Sequence, residues 1–176
     1  MFSVTKDDLD EAVREGRPPE EVRQLESLLT RKDCLVAKIE NAFVGVRLGK
    51  GIGLFEADAW DMCTDSEERE RERMRDERES WQKISESDLE WGGFSQKLCF
   101  TDAEGFRFLI PAFMVAELNS HALNDETLCH LSNMREDENL KCSLLDSSQL
   151  ETIVDYLRLR LDDPWCEFFH EVTAEA

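Results

Sequence analysis

Residues 102–114, DAEGFRFLIPAFM, decide how the fold is read, because they set one arginine among apolar side chains and run through a proline without losing apolar character. In GFRFLI (105–110), a period of two places Phe106, Phe108 and Ile110 on one face and Arg107 and Leu109 on the other. The preceding KLCF (97–100) is a short apolar run, and TDAEG (101–105) between the two carries turn residues. The expectation is a small antiparallel β-hairpin near residues 97–110. Pro111 cannot donate to a sheet ladder and suits the first turn of a helix, so a helix is expected from about Ala112 to Leu118.

Arg107 raises a question of charge. On a face shared with Leu109 and partly covered, its guanidinium would need carboxylate partners, because an unpaired buried charge costs several kcal/mol. Glu56, Asp61 and Asp76 are the candidates, each set in a segment that mixes acids with apolar anchors. The reading is a structural clamp rather than an anion-binding site, and the planar fork of arginine suits bidentate pairing.

Upstream of the hairpin the pattern is helical. Thr5 with Asp8 forms a capping pair for a short helix to about Glu15, which Gly16 ends. Pro18 and Pro19 open a second helix with Glu20 and Glu21 in its first turn. Leu25, Leu28 and Leu29, then Leu35, Ile39 and Phe43, recur at helical spacing, with a break near 30–33 left open. Gly45, Gly49, Gly51 and Gly53 interrupt the helix, and helical pattern resumes at Leu54. Ser66 to Glu79 holds seven acids and five arginines. Its i,i+3 opposite-charge pairs (Glu68/Arg71, Glu70/Arg73, Glu72/Arg75) argue for a solvated helix capped by Ser66 and anchored by Met74 and Trp81.

Downstream, Ser85 caps a turn of helix around 88–91, and a weak helix is expected near Glu126 to Leu131. In SSQLETIVDYLRLRL, a capping pair of Ser148 and Glu151 precedes an apolar stripe of Leu150, Ile153, Val154, Leu157 and Leu161. A final turn in PWCEFFHEV would dock Trp165 and Phe169. No repeat or linker divides the chain. The fold class expected is therefore mainly α (α+β): one domain over 1–176, a helical assembly with the single hairpin and a helical N-terminal extension over 1–32.

Composition narrows the function classes. A net charge of −19 disfavours binding to nucleic-acid phosphates or anionic membranes, and it permits a basic protein partner. The acidic N-terminus lacks the apolar core of a signal peptide, and no apolar run reaches the ~18 residues of a membrane span, so a cytoplasmic protein is expected. Six cysteines, never closer than thirteen residues apart, then read as reduced thiols rather than disulfides or a zinc set.

Catalytic motifs are sparse. The loop GVRLGKGIG (45–53) follows a helix and lacks P-loop spacing and the Ser or Thr after Lys50, so it reads as a connection. His121, His130 and His170 show no metal-binding spacing, and neighbouring Cys129 and His130 point about 100° apart on a helix. A cysteine–histidine pair formed in space stays open. No cofactor, metal or catalytic residue is assigned.

Three segments, IENAFVGVRLGKGIGLFEADAWD, ERMRDERESWQKI and LCFTDAEGFRFLIPAFM, together resemble an uncharacterised bacterial cytoplasmic family, a domain of unknown function. The similarity rests on Ala42, Phe43, Gly45, Val46 and Gly51, and on Leu54, Glu56, Ala57 and Asp61. It continues through Arg75, Asp76, Glu77 and Trp81 to Gly105, Phe106, Arg107, Phe108, Pro111 and Ala112. It covers about 35–161, with Phe55 and Phe113 where His and Tyr are common in the family. The resemblance implies a shared fold unit and carries over no activity. The leading expectation is a non-enzymatic acidic protein of immunity or regulatory type acting through protein–protein contacts. The alternative is a small hydrolase-like enzyme using a carboxylate or cysteine near the 45–61 loop and helix.

Overall fold

The computed structural model describes residues 4–90, 97–119, 126–132 and 136–163. Eight helices order these residues: α1 (Lys6–Arg14), α2 (Pro19–Ala42), α3 (Leu54–Asp61), α4 (Ser66–Arg73), α5 (Glu86–Glu90), α6 (Ala103–Asn119), α7 (Glu126–Ser132) and α8 (Ser147–Leu161). Three 3-10 segments, Trp81–Lys83, Lys97–Phe100 and Glu136–Leu144, join them. Among the described residues there is no strand, and the hairpin expected near 97–110 is absent.

The correction has a clear physical origin. The TDAEG segment is a helix start rather than a strand turn. Asp102 accepts a hydrogen bond from the Gly105 N–H at 2.8 Å, while its carbonyl accepts from Phe106 N–H at 2.8 Å. Gly105 is there for room, since a Cβ would stand 2.1 Å from the Ile52 carbonyl oxygen. From Phe106 to Met114 every residue of α6 except Arg107 is buried. A helix covered on all sides loses its polar face, and with it the 3.6-residue signature, so one arginine between two phenylalanines imitates a period of two. Pro111 lies inside α6 and deprives the Arg107 carbonyl of its usual donor. Burial of its neighbours from Phe108 to Met114 offsets a local cost of about 3 kcal/mol.

At the N-terminus the Thr5–Asp8 capping box forms, and Gly16 adopts φ 68°, where glycine is favoured. α2 runs unbroken for 24 residues, which settles the open question at 30–33. Its buried Leu25, Leu28, Leu35 and Ile39 share one face. α8 packs along α2, with Lys38 Nζ bonding Glu151 (3.1 Å) and Asp155 (2.7 Å) and Arg31 bonding Asp162 (2.7 Å). Gln149 donates to the Ala42 carbonyl at the exposed end of the α2 ladder (3.1 Å).

Two helical readings shift. α4 is capped by Asp65 and ends at Arg73; Met74 is 79% exposed, while Trp81 is buried and donates its indole N–H to the Phe43 carbonyl at 3.0 Å. The Glu68–Arg71 and Glu72–Arg75 pairs form, but Arg73 leaves the helix surface to reach Glu56. α8 is capped by Asp146 with Gln149, two residues before the expected box. Its buried face is Gln149, Thr152, Ile153, Tyr156, Leu159 and Arg160, so of the expected apolar stripe only Ile153 is buried. The tail residues Trp165 and Phe169 lie outside the described residues, as do Trp91, Gly92, His121, Cys166 and His170.

Candidate functional site

The glycine loop between α2 and α3 is fastened from both sides over residues 49–52. Arg78 donates to the Gly49 and Gly51 carbonyls (2.7 and 3.1 Å), and Arg73 donates to the Lys50 carbonyl (2.7 Å). From the other side, Glu104 accepts from Lys50 N–H (2.8 Å) and Asp102 from Ile52 N–H (3.1 Å). Two of the loop amides, Lys50 and Ile52, are thus already bonded to carboxylates. The loop is a structural latch between α2, α4 and α6.

Glu56 and Asp76 sit on this latch, and each has a partner other than Arg107. Glu56 pairs with Arg73 at 2.5 Å. Asp76 is buried and accepts from the Phe55 N–H at 2.8 Å, in the first turn of α3. The helix's own N-cap is Gly53, which has no side chain to offer, so Asp76 caps α3 from elsewhere in the chain. Burial pushes the Asp76 carboxyl up to about 6, against the opposing pull of the Phe55 and Glu56 amides. Asp61 ends α3 and is half-buried. Arg107 lies on α6; none of the ion pairs among the described residues includes it, and its Nε is buried with no hydrogen-bond partner.

A second polar centre ties α6, α7 and α8 together. Glu117, fully buried, accepts from the Thr127 N–H at 2.8 Å and from the Tyr156 hydroxyl. Burial raises the Glu117 carboxyl above its ordinary range, with Thr127, Tyr156 and Arg160 pulling the other way. The Tyr156 hydroxyl is raised well above its own range by burial and by Glu117. Sequence reasoning passed over Glu117, although a lone acid in the apolar run FMVAEL signals a buried, partnered carboxylate. Enclosed on every side, this centre holds helices together.

The surface offers two grooves of note. One, of about 300 Å³, lies between α2 and α8; its three cations are each in an ion pair, Lys38 and Arg158 with Asp155 of the lining and Arg31 with Asp162 outside it. The other, of about 260 Å³, lies where α6 meets α2, α5 and the Trp81–Lys83 segment. Trp81, Ile84, Leu89, Ala112, Val115 and Ala116 form its floor and walls. Glu40 and Glu86 line its rim, both exposed and neither in an ion pair among the described residues, with Gln82 and Asn119 as uncharged neighbours. No cation lines it. An apolar trough edged by free carboxylates can hold an apolar side chain and bond the cations beside it. Glu40 and Glu86 lie 46 residues apart in sequence and carry no local signal that marks them as neighbours.

Residues 31–165 match the family of unknown function DUF6714. The chain belongs to DUF6714. No curated protein and no solved structure matches it. The matched span of DUF6714 opens within α2 and extends past α8, so it contains the latched loop, the Glu117 centre and the acidic groove, while α1 precedes it. Among the described residues, no helix of this DUF6714 chain is long and apolar enough to cross a membrane.

Proposed function

We propose that this protein acts through protein–protein contact, seating a basic segment of a partner in the groove between α2, α5 and α6. The observation that carries the reading is the pair of unpaired carboxylates, Glu40 and Glu86, over a trough floored by Trp81, Leu89 and Ala112. The occupant that fits is a short segment with one apolar anchor flanked by lysines or arginines. A net charge of −19 would steer such a partner to the protein, as suits an acidic protein of immunity or regulatory type in a cytoplasm. The five described cysteines, all free thiols, fit a reducing compartment. A carboxylate site beside the 45–61 loop and helix is the weaker reading, because Glu56 is held by Arg73 and the Lys50 and Ile52 amides are bonded to Glu104 and Asp102.

The test uses a fluorescent nine-residue peptide of alternating lysine and leucine, titrated at 150 mM salt. Ala116→Trp fills the groove without changing charge and should weaken binding about tenfold or more, which corresponds to at least ~1.4 kcal/mol. Glu40→Gln with Glu86→Gln should weaken it and flatten its salt dependence. Equal binding by wild type and Ala116→Trp would mean that the peptide senses only overall charge, and the groove reading would fail.

A further inference from the structure

Cys99 and His130 come together where the 3-10 segment Lys97–Phe100 packs against α7, although 31 residues separate them in sequence. The Cys99 Sγ stands 3.4 Å from His130 Nδ1, within sulfur hydrogen-bonding distance. His130 is buried, and its ring packs on Phe106 with centroids 5.4 Å apart, which holds Nδ1 toward the thiol. Cys99 itself is half-buried. Lys141 donates to the Leu98 and Cys99 carbonyls at 3.0 and 2.7 Å, which brings an ammonium beside the cysteine. A thiol against an imidazole with a cation nearby is the setting that favours thiolate. Three other described thiols, Cys34, Cys63 and Cys142, differ. Cys34 and Cys63 are exposed, and the Cys63 Sγ faces only the Asp61 carbonyl. Burial pushes the Cys142 thiol up.

We propose that Cys99 is a reactive thiol activated by His130 and open to exchange with a small-molecule disulfide. The Sγ proton passes to Nδ1, and the thiolate attacks one sulfur of the disulfide. The S–S bond breaks as the new bond to Cys99 forms, and the departing thiolate takes the proton from Nδ1 and leaves as a free thiol. The Cys99 sulfur is oxidised and the departing sulfur reduced, so no further oxidant is needed. This site is separate from the acidic groove and stands whether or not the groove binds a partner.

The experiment exposes the full chain to glutathione disulfide at pH 7 and follows each cysteine by peptide mass mapping. An ordinary thiol is only a few per cent thiolate at that pH. Greater thiolate character, offset by its weaker nucleophilicity, gives Cys99 a rate about twofold to fourfold above that of Cys34 or Cys63, despite its lower exposure. His130→Gln should bring the Cys99 rate down to or below theirs while circular dichroism stays helical. Wild-type Cys99 reacting no faster than Cys34, or a folded His130→Gln retaining the fast rate, would overturn the proposal. If His130→Gln fails to fold, a His130→Asn variant takes its place, and the wild-type comparison of Cys99 with Cys34 still decides.

Discussion

Replacing Gly53 with alanine should destabilise the protein through one contact. The Gly53 backbone has φ −85°, which alanine adopts without strain, so the effect is steric. The new Cβ would stand 2.2 Å from the Asp76 Cγ and 2.4 Å from its Oδ2. Either the carboxyl leaves, and α3 loses the acceptor on its Phe55 N–H, or the chain shifts to keep it. A lost cap costs about 1 kcal/mol. Forcing an extra carbon into a packed site costs about 1–3 kcal/mol. The expected loss is therefore about 1–3 kcal/mol, a fall in midpoint of roughly 2–12 °C for a chain of this size. Urea denaturation at a fixed pH of 5 is the assay, where the folded Asp76 carboxyl, titrating at about 6, is mostly protonated in every variant that keeps it buried. In an Asp76→Ala background the same substitution should cost less than about 1 kcal/mol, since the clashing group is gone. A neutral Gly53→Ala, or an equal cost in both backgrounds, would refute the assignment of Asp76 as the cap of α3.

Three further outcomes follow from the described contacts. The Asp76 carboxyl titrates at about 6 in the folded state against 3.8 for the free group, so the folded state binds its proton more tightly and gains stability from protonation. Stability of wild type relative to Asp76→Asn should thus fall as pH rises from about 4 to about 6; the 2.2-unit difference sets an upper bound of about 3 kcal/mol, and a flat difference would contradict the burial of Asp76. Tyr156→Phe removes a donor from the enclosed Glu117 and should cost about 1–3 kcal/mol in a urea titration, whereas an unchanged midpoint would mean that the hydroxyl is not a working partner. On α8, Ile153→Ala should cost about 2–4 kcal/mol and Leu161→Gln less than about 0.5, and the reverse order would restore the stripe expected from sequence.

Local signals carried the helical part of the fold. The Thr5–Asp8 box, Gly16, the prolines before α2 and the glycines before α3 all act within a few residues of where they stand, and each falls where its chemistry requires. Long-range facts were not legible. The stretch of α6 from Phe106 to Met114 has no polar face because other elements bury all of it except Arg107, and that covering cannot be read from the helix alone. α8 turns Tyr156 and Arg160 inward because Glu117 lies inside to meet them, while Leu150, Val154 and Leu161 stay exposed. The clamp expected of Arg107 assumed a strand face. With residue 107 on a helix, Arg73 takes Glu56 and backbone amides take Asp76. The groove was illegible for the same reason: Glu40, Glu86 and Ala116 become neighbours only after α2, α5 and α6 have packed.

Hydrogen exchange read by mass spectrometry, with and without the lysine–leucine peptide, tests the docking reading most directly. Peptide binding should slow exchange in the segments that build the groove, the C-terminal half of α2, residues 81–89 and the end of α6, and leave α1 unchanged. Protection spread evenly over the acidic surface, or centred on the charged helix α4, would contradict it.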